Sequence, residues 1–188
     1  MFLKSQNPYL LIVGMTGVKM GDRFVQIGCV HGGRLGAVAG KVGLSGRAVV
    51  VAPDEPSAAR ARKGAEDAGV LVEVEVAPPT RLPLENDAFD LALVDDTAGL
   101  LGTLSPERRV AAIRELVRVL RPAGRVMIVG AAPRGGFGAL LTRAQSGPPF
   151  VASGDANIAL EADGFKSVRT LAEREGLVFV EGIKPRHG

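Results

Sequence analysis

Short apolar runs of strand length alternate along this chain with longer stretches whose apolar residues recur at helical spacing. "RFVQIG" (Arg23 to Gly28) predicts a buried strand that ends on a glycine. "GGRLGAVAGKVG" follows with Leu35, Val38, Ala39 and Val42 on one helical face and Gly43 as its stop. "RAVVVA" (Arg47 to Ala52) is continuously apolar, the pattern of a strand covered on both faces of a parallel sheet. "EPSAARARKGAEDAG" predicts a helix with proline near its start and Gly69 at its end. A third strand is expected over Val70 to Val76, where apolar and acidic residues alternate, and a fourth over Phe89 to Val94. "SPERRVAAIRELVRVL" carries Ser105 as N-cap, Pro106 at the first helical position, and one stripe through Val110, Ile113, Leu116, Val117 and Leu120. A fifth strand is expected over Gly124 to Gly130, a short helix over "DANIALEADGF", and a hairpin around Arg174-Glu175-Gly176.

Strands separated by helices, closed by a hairpin, define the expected fold class. It is α/β: a Rossmann-like, doubly wound, mainly parallel sheet of about seven strands with a C-terminal antiparallel hairpin. The length of 188 residues fits a single domain over 1–188, with an N-terminal segment over 1–20 and room for a lid loop over 131–154. In sheets of this kind ligands bind at the carboxyl ends of the strands, near the point where strand order reverses. "GCVHGG" (Gly28 to Gly33) stands at such an end if "RFVQI" is the first strand.

Composition narrows the classes. The net charge of +3 comes from 23 basic and 20 acidic residues scattered along the chain, so no basic patch points to nucleic acid. One cysteine, Cys29, excludes an internal disulfide framework and suits a reducing, cytoplasmic setting. The apolar run Tyr9 to Val13 is too short to span a bilayer. One cysteine and two distant histidines (His31 and His187) build no zinc site, and no nucleophile-elbow motif is present. His187, beside the last residue, is expected to be disordered. "GAAPRGGFGALL" is glycine-rich but lacks the GK[ST] ending of a phosphate loop, so it is assigned to the lid region.

Four stretches together resemble the class I S-adenosylmethionine (SAM)-dependent methyltransferases, of the small-molecule type found in quinone biosynthesis. "GDRFVQIGCVHGG" resembles their glycine-rich first motif, and "RLPLENDAFDLALVDD" their "LPFxDxSFDxV" segment. "IRELVRVLRPAGRVMIVG" resembles the region around "RVLKPGGR", and "ADGFKSVRTLAEREGLVFVEGIKP" the closing hairpin. The similarity runs from about Leu11 to Lys184. It implies methyl transfer from SAM to a small molecule by in-line displacement, with the protein supplying position more than acid–base chemistry.

The resemblance also implies a cofactor site. It would comprise Gln26, Gly28, Cys29, Val30, His31 and Gly32 on the glycine turn; Ala52, Pro53 and Asp54 after the second strand; Pro78, Pro79 and Thr80 after the third; and Asp95 after the fourth. Several of these depart from the family pattern. Val30 replaces the middle glycine, and Gln26 stands where a carboxylate is common. Ala52 and Pro78 occupy the positions of the acidic residues that read ribose and adenine. Asp54 either reaches the ribose or caps the following helix. Asp95 and Asp96 are either a solvated loop pair or the seat of a general base, and His31 is a base, a ligand contact, or a residue facing solvent. Asp95 and His31 are thus the catalytic candidates, while Cys29 reads as packing.

Two further readings stand beside the enzyme. One is a catalytically inactive methyltransferase-like protein serving as a binding or partner subunit, favoured by the missing carboxylates. The other, a nicotinamide-dependent oxidoreductase, needs GxGxxG and an acidic end to the second strand, and neither is present. The apolar start "YLLIVGM" also offers an interface for a homo- or hetero-oligomer.

Overall fold

The computed structural model describes residues 7–133 and 149–186. The centre of the expected lid, most of "GAAPRGGFGALL", and His187 lie outside the described residues. The element order is α1 (Leu10–Thr16), β1 (Arg23–Ile27), α2 (Gly32–Val42), β2 (Arg47–Ala52), α3 (Glu55–Ala68), β3 (Glu73–Val76), β4 (Phe89–Asp96), α4 (Pro106–Val119), β5 (Leu120–Ala131), α5 (Asp155–Ala162), β6 (Lys166–Arg174) and β7 (Leu177–Ile183).

The seven strands form one sheet in the order β3-β2-β1-β4-β5-β7-β6. β1 pairs in parallel with both β2 and β4, so the strand order reverses at β1. β7 inserts antiparallel between β5 and β6. The alternation of side chains along each strand divides the core into two layers. Val25, Ile27, Val49, Val51, Ala92 and Val94 face one cluster with Ile113 and Leu116 of α4 and Leu160 of α5. Phe24, Val50, Leu91, Leu93 and Met127 face the other, with Ile12 of α1, Leu35 and Val38 of α2, and Ala61 of α3. The continuous apolar runs of β1, β2 and β4 follow from this two-sided cover.

The expected hairpin forms about Glu175 (φ +53) and Gly176 (φ +73), two successive left-handed residues between the paired Arg174 and Leu177. That is the type I′ geometry, whose twist matches the flanking strands. Several expected strand bounds move, and β4 runs on past Val94 so that Asp95 and Asp96 pair with β5 and are not a solvated loop pair. β3 begins at Glu73, not Val70, because the end of α3 takes the intervening chain: Gly69 is left-handed and the Val70 N–H donates to Ala65 O at 3.0 Å. β5 begins at Leu120, earlier than Gly124. Leu120 pairs with Phe89, the residues from Arg121 to Gly124 bulge out with Ala123 at φ +64, and pairing resumes at Arg125.

The apolar start of the chain folds as α1. Ile12 is buried, and Tyr9, Leu11, Val13 and Met15 are partly buried against the cluster that contains α2. Most of the face proposed above for an oligomer interface therefore packs on this chain's own core. No helix among the described residues is long and apolar enough to cross a membrane.

Candidate functional site

The site forms where β1 gives way to the glycine turn. The Gly28 N–H donates to Val51 O at 2.9 Å, extending the ladder by one residue before the chain turns at φ +76. The backbone angle favours glycine here, and a Cβ on Gly28 would also meet Leu100 Cδ2 at 2.9 Å, a side-chain end that can move aside. Val30 is not among the residues at positive φ. The valine is therefore accommodated without backbone strain, and what it changes is steric: its side chain, 39% exposed, stands at the edge of the cleft.

Three elements hold this turn. From β4, Asp95 Oδ2 accepts from the Val30 N–H at 2.8 Å, while Oδ1 accepts from the Thr97 hydroxyl at 2.6 Å and its N–H at 3.3 Å. From α3, the Ser57 hydroxyl accepts from the Cys29 N–H at 3.0 Å and donates to Cys29 O at 3.2 Å. Arg60 Nε donates to the same carbonyl at 2.9 Å. α3 is itself started by Asp54, whose Oδ1 accepts from the Ser57 N–H at 2.8 Å. α2 and α3 approach so closely that a Cβ on Gly32 would lie 2.5 Å from Arg60 O, and one on Gly64 2.2 Å from Gly32 O.

Asp96 anchors the far wall. Its Oδ1 accepts from the backbone N–H groups of Leu101 and Gly102, fixing the loop that precedes α4. Arg109 supports that loop from α4, donating to the carbonyls of Leu101, Gly102 and Leu104, and its guanidinium lies 4.5 Å from the centre of the Phe150 ring. Burial raises the Asp96 carboxyl to about 6, and the nearby Asp95 charge adds to the effect. Burial likewise pushes the Cys29 thiol up to about 11, which makes it a packing residue and not a nucleophile.

These elements enclose a cleft of about 390 Å³ at the carboxyl ends of β1, β2 and β4. Gly28, Cys29, Val30 and Asp95 form one side; Pro53, Asp54, Pro78 and Pro79 line another; the Ala98–Leu104 loop contributes Leu100 and Leu104. The volume falls in the range of small-molecule sites. Five residues expected in the site do not line this cleft. Ala52 is fully buried at the end of β2, Thr80 lies beyond the prolines, and Gly32 serves the contact of α2 with α3. Gln26 is buried beneath the turn, and its Nε2 donates to Gly28 O at 2.8 Å. His31 is the exposed N-cap residue of α2, makes no side-chain cap bond, and faces Tyr9 edge-on with ring centres 5.7 Å apart.

Ser57, Arg60, Leu100 and Arg108 also line the cleft and were not anticipated. Ser57 and Arg60 lie at helical spacing after the Asp54 cap, a signal that was available in the sequence. The loop residues carry no motif. Among the described residues, no group of three or more His, Cys, Asp or Glu side chains could hold a metal ion.

A doubly wound sheet with its cleft at the strand-order reversal, a glycine turn and flanking carboxylates defines a nucleotide-type ligand-binding α/β domain. Comparison with known proteins makes this specific. The sequence profile of the family described as a methyltransferase domain matches residues 24–124. The chain belongs to this methyltransferase-domain family. Over 108 residues it is 33% identical to an uncharacterized 37.1 kDa protein in transposon TN4556 of Streptomyces fradiae. That match takes in 57% of this chain and 30% of the other, so the chain spans about a third of the length of this curated relative. Among solved structures, a SAM-dependent methyltransferase from Aquifex aeolicus superposes with a TM-score of 0.72 at 18% identity, covering 94% of this chain and 89% of that one. The [4+2]-cyclase SpnF gives 0.69 at 19% identity, covering 93% and 78%. Both likenesses concern the fold.

Proposed function

We propose that the protein is an enzyme that transfers a methyl group from SAM to a small-molecule acceptor. The observation that carries this is the single cleft into which the glycine turn, Asp54 and Asp95 converge. The chain fits the cofactor at the turn, where Gly28, Cys29 and Val30 line the open cleft. It also fits at the ribose position, since the second oxygen of Asp54 accepts no hydrogen bond within the described residues. In this reading the turn from Gly28 to Val30, whose N–H groups are already engaged, is the wall against which the methionine part of the cofactor lies, and Asp54 receives the ribose hydroxyls. Pro78, Pro79, Leu100 and Leu104 form the apolar walls around the base. When bound, SAM supplies an electrophilic methyl on sulfonium sulfur.

Asp95 acts chiefly as a positioning group. A carboxylate has about four acceptor sites, and three hydrogen bonds already occupy it. The same bonds fix the turn against β4, so a bound ligand meets a preformed wall. The acceptor supplies its own nucleophile.

A second reading, a methyltransferase-like protein that binds without transferring, is favoured by the absence of carboxylates at Ala52 and Pro78. One experiment separates the two. The purified protein is incubated with SAM and a panel of small hydroxyl and amine acceptors, and S-adenosylhomocysteine is followed by mass spectrometry. Acceptor-dependent release of S-adenosylhomocysteine is expected. Binding of SAM without any release across the panel would favour the second reading.

A further inference from the structure

A buried acceptor atom has no partner beneath the glycine turn. Gln26 is 2% exposed and its Nε2 is used by Gly28 O, but its Oε1 accepts no hydrogen bond within the described residues. Leaving such an atom unpaired costs about 1–3 kcal/mol, so a donor beside it is expected, either a buried water or the hydroxyl of a ligand. Gln26 lines a cavity of about 10 Å³ with Asp95, Arg34 and Ile12, room for one water-sized group. Asp95 also lines the cofactor cleft on its other side. Arg34 and Ile12 in turn line a pocket of about 270 Å³ that opens beside α1 and the hairpin turn. Shared side chains, Asp95 on one side and Arg34 and Ile12 on the other, thus set this small cavity next to both the cleft and a second pocket.

That second pocket has an apolar body and one cation. Tyr9, Leu11, Ile12 and Leu177 supply apolar surface, and His31 and Glu175 stand at its rim. Arg34, in the first turn of α2, is partly buried, and its side chain makes no hydrogen bond or ion pair within the described residues. No aspartate or glutamate occurs in residues 1–6, 134–148 or 187–188. A guanidinium in this position suits a planar carboxylate, which it can grip with two parallel N–H donors.

We propose that this pocket is the acceptor site and that it takes a small hydroxycarboxylic acid. The carboxylate pairs with Arg34, the apolar body lies against Tyr9 and Leu177, and the hydroxyl donates to Gln26 Oε1 beside Asp95. This rests on the methyltransferase reading and deepens it by naming the acceptor class. Arg34 and Gln26 are acceptor-binding residues in this assignment, and Tyr9 is the wall that α1 contributes.

The test uses the full chain and three probes, salicylate, 3-hydroxybenzoate and 4-hydroxybenzoate, each beside its methyl ester. Calorimetry is run with and without saturating S-adenosylhomocysteine. At least one acid is expected to bind about tenfold more tightly than its ester. Arg34→Met should erase that ratio and Arg34→Lys should restore part of it, while the affinity for S-adenosylhomocysteine stays unchanged. Three results would each overturn the assignment: no acid binding at millimolar concentration, an acid-to-ester ratio that survives Arg34→Met, or a tenfold loss of S-adenosylhomocysteine affinity in Arg34→Met. The last would mean that the arginine serves the cofactor's own carboxylate. Failure of the wild type to bind S-adenosylhomocysteine would count against the methyltransferase reading instead, and the titrations without it would still report on the pocket.

Discussion

Asp95 and Asp96 are adjacent and both buried, yet they should respond in opposite ways to the same change, aspartate to asparagine. Asp96 uses one oxygen for two backbone N–H groups, and an asparagine carbonyl can keep both bonds. Its carboxyl is raised from an ordinary 3.8 to about 6 by burial. A folded-state value above the unfolded one means that the folded chain binds the proton more tightly. The ionised form therefore costs stability, with the cost absent below about 3.8, growing up to about 6, and complete above it. The full swing is at most about 3 kcal/mol, and an unpaired amide N–H at the other oxygen offsets about 1 kcal/mol of the gain. Asp96→Asn should thus be more stable than the parent by about 1–2 kcal/mol at pH 8 and lose that advantage by pH 4. Asp95 offers no such replacement, because its two oxygens accept from opposite sides. Asp95→Asn must turn an amide N–H toward either Val30 or Thr97, and should cost about 1–3 kcal/mol at pH 8. Urea unfolding of the three proteins at pH 4 and pH 8 reads both. A destabilised Asp96→Asn at pH 8, a pH-independent difference for it, or an Asp95→Asn that is neutral at pH 8 would refute the reasoning.

Gly64→Ala places a Cβ against the Gly32 carbonyl with no flexible side chain to yield; α3 must shift, and a loss of about 1–3 kcal/mol in unfolding free energy is expected, with near-parent stability as the contrary result. Asp54→Ala removes the α3 cap, which should lower stability by about 1 kcal/mol and weaken S-adenosylhomocysteine binding about tenfold in calorimetry; an unchanged affinity would remove Asp54 from the ribose role. Cys29, buried and with its thiol raised to about 11, should react with a maleimide at pH 7.5 at least a hundredfold more slowly in the native protein than in urea. Equal rates would contradict its burial.

Much of the fold was legible because the two-sided cover of a parallel sheet writes itself as continuous apolar runs, as in "RFVQI" and "RAVVVA". Caps were legible as well: Ser105 with Pro106, and Asp54 with Pro56, begin their helices as their chemistry requires. The strand limits at Val70 and Leu120 were not, because a Schellman turn and a bulge are set by backbone pairing that apolar periodicity does not record. α1 was hidden for a related reason. Seven residues are too few for a clear period, and the helix exists because Ile12 finds a core to enter.

The site divides in the same way. The Gly28 turn, Val30, Asp54 and Asp95 could be placed from their positions after strands. The role of Gly32 could not, since a glycine that reads as part of a cofactor motif here lets two helices touch. Val30, in place of the family's middle glycine, is tolerated because the backbone there does not adopt a positive φ. Ala52 is likewise no simple gap in the site, because it is buried at the strand end and Asp54, two residues on, lines the cleft.

The most direct test of the account is titration of the purified chain with S-adenosylhomocysteine by isothermal calorimetry. The cleft at Gly28, Asp54 and Asp95 predicts one site per chain with a micromolar dissociation constant. Heats no different from dilution at millimolar ligand, from protein shown to be folded by circular dichroism, would contradict it.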